Sequence, residues 1–485
     1  MTTQPREGAL RGAGLQVLDG FGMSVKSASP YVMPQSVQQL ADVLGRAEQQ
    51  RVPVCFRGSG RSYGDAAIGN GGLVIDTRAL HRVHAWEPTE GVIDVEGGLT
   101  IEGLWRRTIE DGWWPPVVPG TMHPTLAGCL AMNVHGKNNY RVGPIGDHIV
   151  GFDLLTMEGT TMHCSREQNA DVFHAAIGGL GLLGAITRLQ LQLKRVHSGR
   201  VRVHVMCGHN LEQTFDVFER HLEHHDYLVG WIDCTAKGSK LGRGVLHGAN
   251  YLQPGEDPEG DASFHVENQG LPSTILGVPR GVLWRFMKPF MNDYFVKWIN
   301  TFKYLAELRA QSKPYYQSHV AFAFLLDYVP NWRLAYGRGG FIQYQVFVPH
   351  KQARACLQSI LTLCHQHKTP PYLGVFKRHR PDAFLLSHAL DGWSLAMDFP
   401  VRRTGSKRLE RLVKDMTQCV LEAGGKFYFA KDSVLTAQDI AQAYGTDVLG
   451  RFAAIKHRLD PNNLLESALS RRLLPTLSPP AETPA

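Results

Sequence analysis

The chain has 485 residues, too many for one hydrophobic core, with 43% apolar and 20% charged side chains, which fits a globular protein of two or three domains. A net charge of +7 comes from scattered lysines and arginines with no long basic run, which argues against nucleic acid and leaves an anionic ligand or a membrane surface. The eight cysteines form no C-x-x-C pair and the 22 histidines no H-E-x-x-H, so neither a structural zinc nor a zincin site is expected. The N-terminus "MTTQPREGALRGAGLQ" lacks the apolar centre of a signal peptide, and no stretch is long enough to span a bilayer. The expectation is a reduced, metal-free, cytoplasmic protein.

In chain order, "PQSVQQLADVLGRAEQQRVPVCF" predicts a helix capped by Ser36, with Val37, Leu40, Ala41, Val43 and Leu44 on one face, followed by a buried strand. The glycine-rich "RGSGRSYGD" comes next, then short strands at "GLVID", "VHAW" and "GVIDVEG". A helix from about Thr100 to Ile109 precedes the turn-rich "GWWPPVVPGTMHPTLAGCLAMNVHGKN" and strands at "FDLLTMEG" and "AITRLQLQLKRV". After Arg195 the pattern changes to strands such as "YLVGWIDC", "FIQYQVFVP", "YLGVFKR" and "WSLAMDFP", with long helices between them. This predicts an antiparallel sheet with helices on one face, and so an α+β protein. Gln343 and Gln345 alternate on one strand and therefore share a face, an arrangement suited to sugar hydroxyls. The stretch 281–304 places aromatic residues at near-helical spacing among Arg285, Lys288, Lys297 and Lys303. It reads either as a membrane-interface helix or as a buried helix kinked at Pro289.

The glycine loop presents backbone N–H groups as an anion site would, but it is neither a P-loop nor G-x-G-x-x-G. Taken with "VVPGTMHPTLAGCLAMNVHGKNN" and "IGGLGLLGAITRL", it resembles the vanillyl-alcohol-oxidase/PCMH family of FAD-dependent oxidoreductases. The resemblance covers about residues 15 to 473. It implies a two-subdomain PCMH-type FAD-binding domain over 1–196, an antiparallel substrate domain over 197–425, a C-terminal return over 426–476 and a disordered tail over 477–485. "GGFIQYQVFVP", "GVFKR", "DGWSLAMDFP" and "GGKFYFAKDS" are most similar to a branch of that family. Its members oxidise the 2-hydroxyl of a polyprenylphosphoryl pentose (ribose) to a ketone, on the way to a lipid-linked arabinose donor. An aldonolactone or alditol oxidase acting on a free polyol, or a flavoprotein scaffold without turnover, would share the FAD features.

The resemblance assigns the FAD pyrophosphate to the loop Arg57, Gly58, Ser59, Gly60, Arg61, Ser62 and Tyr63. It runs the cofactor past Pro119, Gly120, Thr121, Thr125, Gly128, Met132, Asn133 and His135, with Gly179, Gly184 and Ile186 on the adenine side and Tyr428 on the returning segment. Arg61 stands where covalent relatives often carry a histidine, which implies non-covalent FAD. Lys431 is implied as the catalytic cation near the flavin, and the hydroxyl proton goes to His135 or to a water, with Tyr63 nearby. Lys137, Gln343, Gln345, Lys377 and Ser394 are the implied substrate contacts, with Lys377 set to pair with a phosphate. Ser394, Ala396 and Ala323 depart from the family's Asn, Cys and aromatic residue, all within the implied pocket. A lipid-linked or small sugar, a partner reductase for the keto product, and peripheral contact with the inner membrane through 281–304 are the implied partners.

Overall fold

The computed structural model describes residues 13–275, 277–311, 313–402 and 405–477; of the expected tail 477–485, all but Leu477 lies outside the described residues. The opening unit is strand Lys26–Val32, helix Val37–Gln49 and strand Val54–Arg57. Ser36 starts the helix because its hydroxyl accepts from the Gln39 N–H, one of the donors no helical carbonyl can reach. Leu40, Val43, Leu44 and Ala47 bury its inner face. Both strands lie parallel to Leu73–Asp76, and Gly14–Asp19 adds an antiparallel edge, giving a four-stranded sheet.

A second, antiparallel sheet has the order Val83–Glu87, Val92–Glu96, Ala185–Gln192, Ile149–Leu155, Thr161–Ser165. Helix Ile101–Thr108, capped by Thr100, and the short helix Leu126–Ala131, capped by Thr125, pack beside it. The glycine loop leaves strand Val54–Arg57 and runs against the cap of the second helix. A Cβ on Gly58 would lie 2.2 Å from Thr125 Oγ1, so only glycine fits there.

The third layer is an eight-stranded sheet whose centre is Tyr227–Ile232, Leu373–His379, Gly392–Pro400 and Phe341–Pro349, all antiparallel neighbours. Strand alternation splits its side chains between two faces. On one face Tyr344 bonds Thr417 of helix Ser406–Glu422, and Phe376 and Trp393 pack on Phe215 and Phe218 of helix Leu211–His221. The other face carries Gln343, Gln345, Val375, Lys377 and Ala396 and roofs a cavity above the glycine loop.

The aromatic stretch 281–304 is neither one helix nor buried. Helix Arg280–Met287 passes into a 3-10 turn Lys288–Phe290 containing Pro289, and Asn292 then caps a new helix, Asp293–Ala310. Only Val296, Asn300 and Tyr304 of that second helix are buried.

The chain closes on its own beginning. Strand Lys426–Phe427 edges the large sheet, after which Ala430 accepts from the Tyr63 N–H at 2.8 Å. Val54 donates to Leu464 at 2.7 Å and accepts from Glu466 at 2.9 Å, so the last segment flanks the strand that feeds the glycine loop. The Arg472 guanidinium ties Asp65 to Asp432, at 2.8 Å from each. Gly64 sits so close to this segment that a Cβ would fall 1.8 Å from the Asp432 carbonyl oxygen.

Candidate active site

The cavity between the three sheets has a volume of about 540 Å³, within the range of cofactor and small-molecule sites. Its floor is the glycine loop. The N–H groups of Gly58, Ser59, Gly60, Arg61 and Ser62 donate to no acceptor among the described residues, and the half-buried loop lines the cavity. Five consecutive donors with no protein acceptor, on the wall of one cavity, suit an anion. Gly60 has φ +61°, and a Cβ there would strike the Arg57 guanidinium at 2.3 Å. The Arg61 Nε and the Tyr63 hydroxyl are likewise buried without partners at the same wall. These residues fit a dinucleotide pyrophosphate.

Most of the sequence-predicted cofactor residues meet here: Gly120, Thr121, Thr125, Gly128, Met132, His135, Gly184, Ile186 and Tyr428 join the loop around the cavity. Four predicted residues do not line it. Arg57 turns back to brace the loop, donating to the carbonyls of Ala67 and Asp19. Asn133 is fully buried at φ +43° and spends its amide on Asp382, Ser387 and the Gly146 N–H. At Gly179 the contact is structural, since a Cβ would meet the Ala175 carbonyl at 2.3 Å. Ser394 shares the face of Ala396 but is fully buried two residues along the strand, outside the cavity lining, and bonds His379 Nε2 at 2.7 Å. Of the three departures, only Ala396 faces the cavity; the Ala323 carbonyl instead accepts from Lys137.

The cavity wall carries Arg61, Lys137, Lys303, Lys377 and Lys431 and no carboxylate. Burial pulls three of these ammonium groups down, Lys137 and Lys431 to about 7 and Lys377 to about 8. Lys377 lowers both of the others by repulsion. The Lys431 Nζ lies 3.6 Å above the centre of the Tyr63 ring, a cation–π contact made in a desolvated place. Lys137 also caps the Phe322 carbonyl and the Phe322 ring.

His135 sits between Lys377 Nζ, 3.3 Å from its Nδ1, and the Gln345 amide, 3.0 Å from its Nε2. The Gln345 atom facing Nε2 is its amide nitrogen, and an ammonium too can only donate, so the one lone pair of a neutral ring accepts from just one of the two at a time. Burial, with Lys377, His379 and His388 close by, holds the ring well below the usual imidazole range. His135 is thus a neutral ring with its lone pair already engaged. Sequence reasoning also passed over Asp398, which is fully buried opposite Gln343 in strand register and is the acid whose charge reaches Lys431. Its alternation with Ala396 was a readable signal.

A mixed fold with a glycine-loop anion cradle and a basic, carboxylate-free cavity defines a flavin-dependent oxidoreductase. The comparisons agree: residues 28–165 match the "FAD binding domain" family and residues 340–473 the "D-arabinono-1,4-lactone oxidase" family. The chain is 30% identical to the decaprenylphosphoryl-beta-D-ribose oxidase of Mycolicibacterium smegmatis, over 93% of this chain and 94% of that protein. It is 23% identical to the L-gulonolactone oxidase of Bos taurus, over 90% of this chain and 93% of that protein. Cytokinin dehydrogenase 7 of Oryza sativa shares 30% identity over 44% of this chain and 43% of that protein. The chain belongs to the PCMH-type FAD-dependent oxidoreductases, and its cofactor is FAD.

Proposed function

We propose that the chain oxidises a secondary hydroxyl of a phosphate-linked pentose, the 2-hydroxyl of a polyprenylphosphoryl ribose, to a ketone, and that its FAD is held without a covalent bond. The observation that carries the reading is the cavity wall: beyond the loop that serves the cofactor's own phosphates it holds four lysines, Lys137, Lys303, Lys377 and Lys431, and no carboxylate. A neutral polyol brings no negative charge to Lys137, Lys377 and Lys431, whereas a phosphodiester brings one that favours their charged forms against the burial that lowers them. Gln343 and Gln345 present amides on the same wall, as sugar hydroxyls require.

Bound FAD supplies the oxidant, taking a hydride from the carbinol carbon. Lys431 stands as the cation that favours negative charge building nearby. Lys377, brought to about 8, exchanges a proton near neutrality and is the group that takes the hydroxyl proton. His135 positions Lys377 and Gln345 by its two ring nitrogens.

The match of residues 340–473 to a lactone oxidase family favours a second reading, oxidation of a free aldonolactone or polyol. Anaerobic mixing separates the two. Bleaching of the flavin band by a lipid-phosphate pentose, with none by the free pentose or by an aldonolactone, supports the first reading. Bleaching by the lactone alone replaces it with the second, and bleaching by nothing leaves a flavoprotein scaffold.

A further inference from the structure

Within 280–313, helices Arg280–Met287 and Asp293–Ala310 carry the most unusual surface among the described residues. Phe286 is 60% exposed, Tyr294 65%, Trp298 49%, Ile299 49% and Phe302 64%, whereas soluble surfaces rarely gather such side chains together. Three of them form a stripe. Tyr294, Trp298 and Phe302 recur at every fourth position of helix Asp293–Ala310, and their rings follow one another at centroid distances of 6.4 and 6.2 Å. Phe290 packs on Phe295 at 5.0 Å and continues the stripe into the preceding turn.

The charges of this segment point the same way. Seven cations, Arg280, Arg285, Lys288, Lys297, Lys303, Arg309 and Lys313, stand against two acids, Asp293 and Glu307, a net +5 out of the chain's +7. Both acids are already engaged, Asp293 by Arg402 and Tyr372, Glu307 by Lys303 and His247. Lys288 and Lys297 are exposed and make no ion pair among the described residues. The inner side of the same helix reaches the catalytic cavity, where Asn300 and Lys303 form part of the wall.

We propose that the outer face of helices Arg280–Met287 and Asp293–Ala310 docks on an anionic phospholipid bilayer, lying in the headgroup plane with its aromatic stripe in the interface. Aromatic rings with an apolar body favour that depth, and cations set among them pair with anionic headgroups. An apolar protein partner would leave the unpaired cations unexplained. The helix does not insert across the membrane: no helix among the described residues is long and apolar enough to do so. Docking extends the lipid-linked substrate reading, because it sets the Asn300 and Lys303 side of the cavity next to the bilayer from which such a substrate comes.

The test is co-sedimentation of the FAD-loaded protein with vesicles of phosphatidylglycerol and phosphatidylcholine, against phosphatidylcholine alone, with no sugar lipid present. The expected result is binding at least about tenfold tighter to the anionic vesicles, weakened by salt. Phe286→Ser/Trp298→Ser/Phe302→Ser and Lys288→Glu/Lys297→Glu should each lose it about tenfold while keeping flavin content and melting temperature. Absence of binding by the unaltered protein overturns the proposal, as does undiminished binding by the triple variant. A dimer in light scattering that the triple variant dissolves also overturns it and assigns the face to a second copy. Because the vesicles hold no substrate, a failure here leaves the oxidation result standing, and the reverse holds too.

Discussion

Gln343 donates through Nε2 to Asp398 Oδ1 at 2.5 Å, while the other carboxylate oxygen, fully buried, meets no donor. Burial lifts this carboxyl to about 7, with Gln343, Lys431 and Tyr336 holding it back. Burial lowers Lys431, with Asp398 pulling it back up and Lys377 pushing it down, to about 7. Asp398→Asn keeps an acceptor for Gln343 and removes the charge, so Lys431 gives up its proton about one pH unit lower. The check is the pH dependence of Lys431 acetylation by acetic anhydride, read by peptide mass spectrometry, beside the alkaline limb of flavin reduction. Unmoved profiles would show Asp398 to be packing alone. Stability carries its own sign: the folded chain holds the Asp398 proton up to about 7, where the unfolded chain releases it near 4, so wild-type stability falls across that window and the variant's falls less.

Lys431→Ala removes a side chain that makes no hydrogen bond among the described residues, so the fold and the flavin absorbance should remain. Substrate-dependent bleaching should slow by about a hundredfold, the usual cost of losing a preorganised charge at a reacting centre. Normal bleaching would make the residue structural.

Gly58→Ala sets a methyl group against Thr125, which must leave its capping bond to Gly128 or push the loop away. FAD retention on gel filtration should fall at least about tenfold, which corresponds to 1.4 kcal/mol. The circular dichroism spectrum should be kept. Full flavin occupancy would place the phosphates elsewhere.

Acid or heat should release the flavin entirely into the supernatant. Arg61 lies over the Phe21 ring at 5.3 Å and offers no nucleophile for a cofactor bond. Yellow colour remaining on the precipitated chain contradicts this.

Ala396→Cys adds a thiol to the cavity wall beside Gln345, its register partner. Iodoacetamide should then add one more adduct to the apoprotein than to wild type, and FAD should suppress it. Equal mass with and without FAD would put position 396 outside the cofactor's space.

The helix behind Ser36, the strand Val54–Arg57 and the alternation of Gln343 with Gln345 were legible because each is decided by local spacing. The positions that went astray were set by partners far along the chain. Asn133 looked like a cofactor contact until Asp382 claimed its amide, 249 residues away. Ser394 lies on the right strand but faces His379, since strand parity sets it with Ala396 while depth within the sheet sets it apart. Asp398 was missed because its meaning depends on Lys431 and Tyr336, which only the closed fold brings near. The stretch 281–304 gave its aromatic pattern but not its exposure, because periodicity marks a face without saying what covers it.

The bond between Val54 and Leu464 joins the strand beneath the glycine loop to a segment about 410 residues later. During synthesis the anion cradle therefore waits, its flank open, while the whole large sheet is made. Domains ordinarily fold in the order they leave the ribosome. This one cannot close its cradle until Ala430, Leu464 and Arg472 have emerged. Cofactor capture therefore waits on these distant residues, and a stop codon anywhere before Leu464 should yield colourless protein even though every residue of the glycine loop is present.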